Sequence, residues 1–201
     1  MNDLKYLALG DSYTIGEAVS AEDRWPHLLV KKLKEKDVFF NPPEIIAVTG
    51  WTTAELKEGI SKKKPESNYD LVSLLIGVNN QYRDYDIEVY KKEFLQLLEY
   101  AIHFANNKKE HVFVVSIPDY GVTPFAVEKD PEKIALEIDE YNSIAKTICQ
   151  SIEIPFIDIT QVSKQAKSDM EMNASDGLHP TGKMYKLWTD EIFPVVQSKF
   201  S

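Results

Sequence analysis

Tyr6-Leu7-Ala8-Leu9-Gly10-Asp11-Ser12-Tyr13-Thr14-Ile15-Gly16 is the stretch on which the fold turns. Leu4, Tyr6, Leu7, Ala8 and Leu9 are apolar without clean alternation, the pattern of a short strand covered on both faces. Gly10 permits a tight turn, and Ser12 falls where the strand gives way to a loop or a helix start. In open α/β sheets, ligands bind in the crevice at the carboxyl ends of the strands. A serine at that point is a candidate nucleophile and equally a candidate cap.

Working outward, apolar and amphipathic segments alternate. A helix is expected from Trp25-Pro26 to about Lys36, with proline tolerated in its first turn. Glu44 to Val48 reads as a second strand, with Thr52 or Thr53 capping a short helix through Leu56. Tyr69 to Ile76 is the most apolar run and reads as a third strand ending in Gly77-Val78-Asn79-Asn80. Ile87, Tyr90, Phe94, Leu97, Leu98, Ala101 and Ala105 then recur at helical spacing. His111 to Ile117 and Ile154 to Ile159 supply two further strands, separated by a helix with Ile134, Ile138, Tyr141, Ala145 and Ile148 on its inner face. A loop from Asn173 to Pro180 leads into a closing helix through Tyr185, Trp188, Ile192 and Val195. This alternation predicts a five-stranded parallel sheet with helices on both faces. No repeat, low-complexity tract or linker divides the chain, so one domain over residues 1–201 is expected.

The 201 residues are 43% hydrophobic and 27% charged, a globular balance that excludes pervasive disorder. A formal net charge of −9 makes the average surface repel nucleic acid and anionic membranes, so neither is expected as a partner. Lys62-Lys63-Lys64, the densest basic run, suits the end of a helix. The single cysteine, Cys149, excludes an internal disulfide and any cysteine-based zinc cluster, and its apolar helical face suits a buried, inert thiol. Met1 to Lys5 lacks a signal-peptide pattern and no apolar run reaches membrane-spanning length, so a cytoplasmic protein without stable membrane insertion is expected. No heptad or apolar stripe marks an oligomer interface, and a monomer is compatible with the sequence.

Four loops at strand ends, or just past the last strand, hold the residues that can do chemistry: Gly10-Asp11-Ser12, Thr49-Gly50-Trp51, Gly77-Val78-Asn79-Asn80 and Asp176-Gly177-Leu178-His179. Acyl transfer by serine needs a proton acceptor, a group orienting it, and donors aimed at an oxyanion. His179 can be the base and Asp176 can hold its other ring nitrogen. The backbone N–H groups of Ser12 and Gly50, with the Asn79 amide, can form an oxyanion hole. Each residue also has a plain structural use: Ser12 and Asp176 as caps, Gly50 and Asn79 as turn residues. Their order along an alternating α/β frame is much harder to produce by chance. Trp51, Tyr82, Arg83 and Tyr120 flank the rim loops as candidate substrate contacts, and Tyr120 to Ala126 reads as a mobile cover. His27, His103 and His111 lack partner patterns and are read as structural or surface residues.

These blocks resemble the SGNH, or GDSL, hydrolase family of esterases and lipases. Gly10-Asp11-Ser12-Tyr13 resembles the nucleophile block, Gly50 the lone glycine of the second, Gly77-Val78-Asn79-Asn80 the Gly-x-Asn-Asp block, and Asp176-Gly177-Leu178-His179 the terminal Asp-x-x-His block. Tyr13 stands where leucine is usual, and Asn80 replaces the usual aspartate, removing a charge beside the oxyanion loop. The resemblance implies a three-layer α/β/α, flavodoxin-like fold. It also implies a Ser12-His179-Asp176 triad working through an acyl-enzyme, with neither metal nor organic cofactor. The expected substrate is a small-molecule ester: a simple carboxyl ester, thioester, lysophospholipid or acetylated sugar. Two other readings stay open: a phosphate or flavin binder using the hydroxyls and glycine of Ser12 to Gly16, and a non-catalytic binding protein of the same fold.

Overall fold

The computed structural model describes residues 3–200; Met1 and Asn2, part of the stretch read for a signal peptide, and Ser201 lie outside it. The chain runs β1 (Tyr6–Gly10), α1 (Ser12–Ile15), α2 (Trp25–Lys34), β2 (Glu44–Ala47), α3 (Thr53–Lys63), β3 (Leu71–Leu75), α4 (Val78–Tyr82), α5 (Ile87–Phe104), β4 (Val112–Val115), α6 (Pro131–Ser151), β5 (Phe156–Ile157), α7 (Thr160–Ser163) and α8 (Gly182–Gln197). The strands form one parallel sheet in the order β2-β1-β3-β4-β5. This is the flavodoxin-like order, whose switch point lies between β1 and β3.

All five residues of β1 are buried, which explains why its sequence does not alternate. It pairs with β2 on one side and β3 on the other, Gly10 lying opposite both Ala47 and Leu75. The loops leaving β2, β1 and β3 therefore emerge side by side. Helices α2 and α8 pack on each other over one face of the sheet, with Trp25, Leu29 and Leu33 of the first and Tyr185, Trp188 and Ile192 of the second buried, while α3, α5 and α6 cover the other. The polar exception inside β1 and β3 is satisfied internally: the Tyr6 hydroxyl and Ser73 Oγ are 2.8 Å apart.

Two elements differ most from the sequence expectation. The α3 helix continues to Lys63 rather than stopping near Leu56. A capping box starts it, with the Thr52 side chain accepting from Glu55 N–H and the Glu55 side chain accepting from Thr52 N–H. Lys62 and Lys63 fall in its last turn, where the helix dipole favours cations. The fifth strand shrinks to Phe156–Ile157, because Pro155 has no N–H and Asp158 turns back to accept from Thr160 N–H at 2.9 Å. The stretch after it, unassigned from sequence, contains α7 and two 3-10 turns at Lys164–Lys167 and Met170–Met172. Cys149 is buried as expected, and burial pushes its thiol up to about 12. No helix among the described residues is long and apolar enough to cross a membrane.

Gly10 is required by space. A Cβ there would lie 2.1 Å from Thr14 Oγ1 and 2.5 Å from the Leu75 carbonyl oxygen, and the latter is fixed in the sheet. Gly10→Ala is expected to destabilise the fold by about 1–3 kcal/mol through overpacking. Urea unfolding should show this as a lower midpoint with an unchanged slope.

Candidate active site

The turn after β1 is built around Asp11. This residue caps α1, its Oδ1 accepting from Tyr13 N–H at 3.0 Å, and it is fully buried. Gly16, at φ +68°, closes α1 after a single turn in a left-handed conformation that glycine adopts without strain. Ser12 is the first residue of that turn and is 3% exposed.

Next to it, the loop after β2 is held by α4. Asn79 donates from Nδ2 to the Trp51 carbonyl at 3.0 Å and reaches Asp11 Oδ2 at 3.5 Å. Asn80 is fully buried; its Oδ1 accepts from Thr53 N–H at 3.0 Å and its Nδ2 donates to Thr53 Oγ1 at 2.7 Å. Arg83 donates from Nη2 to the Gly50 carbonyl at 2.6 Å and pairs with Glu55 at 3.3 Å. On its other side the loop is tied to the end of α1, Thr49 Oγ1 donating to Glu17 Oε2.

The fourth element is a tight loop before α8, closed at its base by an Asn173–Pro180 bridge. Within it, Asp176 makes three contacts. Its Oδ1 accepts from the N–H groups of Leu178 (2.9 Å) and His179 (3.0 Å), while Oδ2 lies 2.6 Å from His179 Nδ1. Three-residue spacing thus orients the imidazole and folds the loop that carries it. Partial burial pushes the Asp176 carboxyl up, but the bonds from the His179 side chain and from the two N–H groups outweigh this and hold it below the usual carboxylate range. The His179 ring lies 5.5 Å, centroid to centroid, from the ring of Tyr13 and is 7% exposed.

A pocket of about 130 Å³ opens where these pieces meet, lined by Ser12, Tyr13, Thr49, Gly50, Val78, Asn79, Tyr82, Tyr120, Phe125, Leu178 and His179. Ser12, Gly50, Asn79 and His179 thus share one cavity, with Asp176 behind His179. Of the four candidate substrate contacts, Tyr82 and Tyr120 line it, with ring centroids 6.1 Å apart. Trp51 lies outside the lining: its indole packs against α3 where Gly59 leaves room, a Cβ there falling 2.2 Å from the ring. Arg83 is also outside, turned to the Gly50 carbonyl. The segment read as a cover forms two 3-10 turns, Tyr120–Val122 and Pro124–Ala126, and is tied to the Asp176 loop by Phe125 N–H donating to the Gly177 carbonyl at 2.9 Å. Sequence reasoning did not assign Tyr13, Thr49, Val78 or Leu178 to the pocket. Each is next to a motif residue, and that adjacency is the signal that could have found them.

Among the described residues, no group of three or more His, Cys, Asp or Glu side chains could hold a metal ion. His27 is partly buried and its imidazole is held below its ordinary range by desolvation, then by Arg24. His103 lies 2.7 Å from Ser67 Oγ, and His111 packs on Phe200.

A model of the GDSL-like lipase/acylhydrolase family matches residues 8–187. A search of curated proteins finds no match to the sequence. Among solved structures, a lipolytic protein of the G-D-S-L family from Veillonella parvula superposes with a TM-score of 0.73 at 17% identity, covering 96% of this chain and 97% of its own. A lipase/acylhydrolase from Enterococcus faecalis gives 0.69 at 22% identity, covering 97% and 96%. An acetyl xylan esterase, AlAXEase, gives 0.72 at 18% identity, covering 96% and 100%. At these identities the superpositions establish the fold, and it is the three-layer one the sequence implied.

Asp11 gives the site a titration that stability can report. Burial pushes its carboxyl up to about 7, against the opposing hydrogen bonds from Tyr13 N–H, its own N–H and the Asn79 amide. In an unfolded chain a carboxyl of this kind titrates near ~3.9. The folded state holds the proton more tightly, so the Asp11 contribution is complete below about pH 4 and is lost as the pH rises through about 7. Asp11→Asn keeps the cap and cannot titrate. Relative to wild type, the variant is therefore expected to gain on the order of a few kcal/mol between about pH 4 and pH 8. Urea unfolding across that range measures the difference; a flat difference would show that Asp11 does not titrate there.

Proposed function

The chain belongs to the GDSL-like lipase/acylhydrolase family and is an ester-bond hydrolase, and from that premise we propose that Ser12, His179 and Asp176 carry the reaction. The observation that supports this most directly is the pocket that gathers Ser12 and His179, with Asp176 2.6 Å from Nδ1 of the imidazole. A carboxylate at Nδ1 keeps the proton there and leaves Nε2 as the base. Ser12 Oγ attacks the ester carbonyl as His179 Nε2 takes its proton. The tetrahedral oxyanion is met by the N–H groups of Ser12 and Gly50 and by the second N–H of the Asn79 amide, which exchanges its long 3.5 Å contact with Asp11 for the oxyanion while the first stays on the Trp51 carbonyl. Collapse expels the alcohol, which receives the proton from His179, and leaves an acyl group on Ser12. Water, deprotonated by His179, then attacks that ester, and the free acid departs.

The substrate is proposed to be a small ester with a short acyl chain. A cavity of about 130 Å³ walled by Val78, Tyr82, Tyr120, Phe125 and Leu178 is close in size to engineered apolar cavities of about 150 Å³ that take a benzene ring. Acetyl esters fit this, and the structural similarity to an acetyl xylan esterase is in keeping with it. A phosphate or flavin in the same loop would lie against the buried Asp11 side chain and leave the Asp176–His179 pair without a use.

Ser12→Ala is expected to abolish hydrolysis of p-nitrophenyl acetate while the circular dichroism spectrum and unfolding midpoint stay those of wild type. Full activity in that variant would remove Ser12 as nucleophile. Asn79→Ala should lower kcat by about a hundredfold to a thousandfold with little change in KM. An unchanged rate would take Asn79 out of the oxyanion hole.

A further inference from the structure

We propose that Arg83 is a positioning residue of the oxyanion hole: by anchoring the Gly50 carbonyl it fixes the Gly50 backbone, whose N–H, in the preceding peptide plane, faces the reacting carbonyl. The inference deepens the proposed reading and rests on it. Arg83 follows α4 directly, and its N–H donates to the Asn79 carbonyl at 3.1 Å. Residues four apart on a helix share a face. The Asn79 and Arg83 side chains accordingly reach the same loop and donate to two successive carbonyls, Trp51 at 3.0 Å and Gly50 at 2.6 Å.

Gly50 needs such a hold. It sits at φ +84°, where the glycine backbone has neighbouring conformations of similar energy and no Cβ to choose among them. Beyond a 3.2 Å bond from Trp51 N–H to the Val48 carbonyl, little fixes its carbonyl: a Cβ built at Gly50 would meet only Arg83 Nη2, at 3.6 Å, so packing does not hold it. A charged donor at 2.6 Å does, and charge-assisted bonds are about twice as strong as neutral ones. The guanidinium is itself braced: Nη1 lies 3.3 Å and 3.4 Å from the two Glu55 oxygens, and Glu55 Oε2 accepts from Thr52 N–H at 2.8 Å. Arg83 thus spans from Gly50 to the start of α3. A planar fork meets a carbonyl and a carboxylate together, which the single ammonium of lysine does not.

Oxyanion donors matter in the transition state more than in the ground state. Arg83→Ala and Arg83→Lys are therefore expected to lower kcat for p-nitrophenyl acetate by about tenfold to a hundredfold, the lysine variant less, with KM within about twofold. Binding of phenylboronic acid, which places a tetrahedral oxygen in the hole when bonded to Ser12, should weaken by a similar factor. Guanidinium ion added to Arg83→Ala should restore part of the rate. A rise in KM alone, or an unchanged kcat and boronate affinity, would overturn the proposal. Should Arg83→Ala fail to fold, Arg83→Lys is read by the same criteria. Ser12→Ala separates the two levels: residual full activity there defeats the nucleophile assignment, whereas an inactive Ser12→Ala with an unaffected Arg83→Lys defeats the clamp alone.

Discussion

The parallel pairing of β1 with both β2 and β3 is the constraint on which the molecule depends. Because β1 is buried on every side, its residues must be apolar or small, and its hydrogen bonds must be met by strands on both edges. That pairing places the ends of three strands in one row. Whatever follows them is brought together without long-range side-chain contacts: Gly50 after β2, Ser12 after β1 and Asn79 after β3. The switch point between β1 and β3 makes the crevice, and α8, packed against α2, delivers His179 from the far end of the chain.

A row of loops is still not a site. The loop from Gly50 to Thr53 is fixed by α4 and the residue that ends it, with Asn79 on the Trp51 carbonyl, Asn80 on Thr53 and Arg83, just past the helix, on the Gly50 carbonyl. A five-residue helix with little apolar surface of its own thus acts as a clamp built of hydrogen bonds. Exposed ion pairs such as Arg83–Glu55 add at most about 1 kcal/mol to stability. The bonds made by Asn80 are fully buried, and breaking one would leave an unsatisfied polar group at about 1–3 kcal/mol.

The fold was legible because strand and helix patterns are local and repeat. Sheet membership, strand number and the loops that carry Ser12, Gly50, Asn79 and the Asp176–His179 pair could all be placed from periodicity and turn residues. Side-chain direction could not. Trp51 and Arg83 stand as close in sequence to rim loops as Tyr82 does. Yet the Trp51 ring fills the gap above Gly59, and the Arg83 guanidinium turns back to a carbonyl. Those outcomes depend on residues far away in sequence, and no period reports them. The length of α3 was readable in principle, from the Thr52–Glu55 capping box and the terminal lysines. The shortness of β5 follows from Pro155 and from Asp158 accepting a bond outside the ladder.

The replacement of aspartate by Asn80 can now be given a physical reason. Thr53 Oγ1 donates its one proton to Glu93 Oε2 at 2.5 Å, so toward position 80 the hydroxyl can only accept. At the same time Thr53 N–H must donate to position 80. A side chain there has to accept with one atom and donate with the other, which an amide does and a carboxylate does not. An ionised carboxylate would also set a second negative charge against Glu93 through one hydroxyl, in a fully buried position where such charges are penalised most. It would stand one residue from Asn79, whose amide already faces the Asp11 carboxyl. With asparagine at position 80, the loop is held by neutral donors and acceptors on the buried side and by the Arg83 cation on the exposed side.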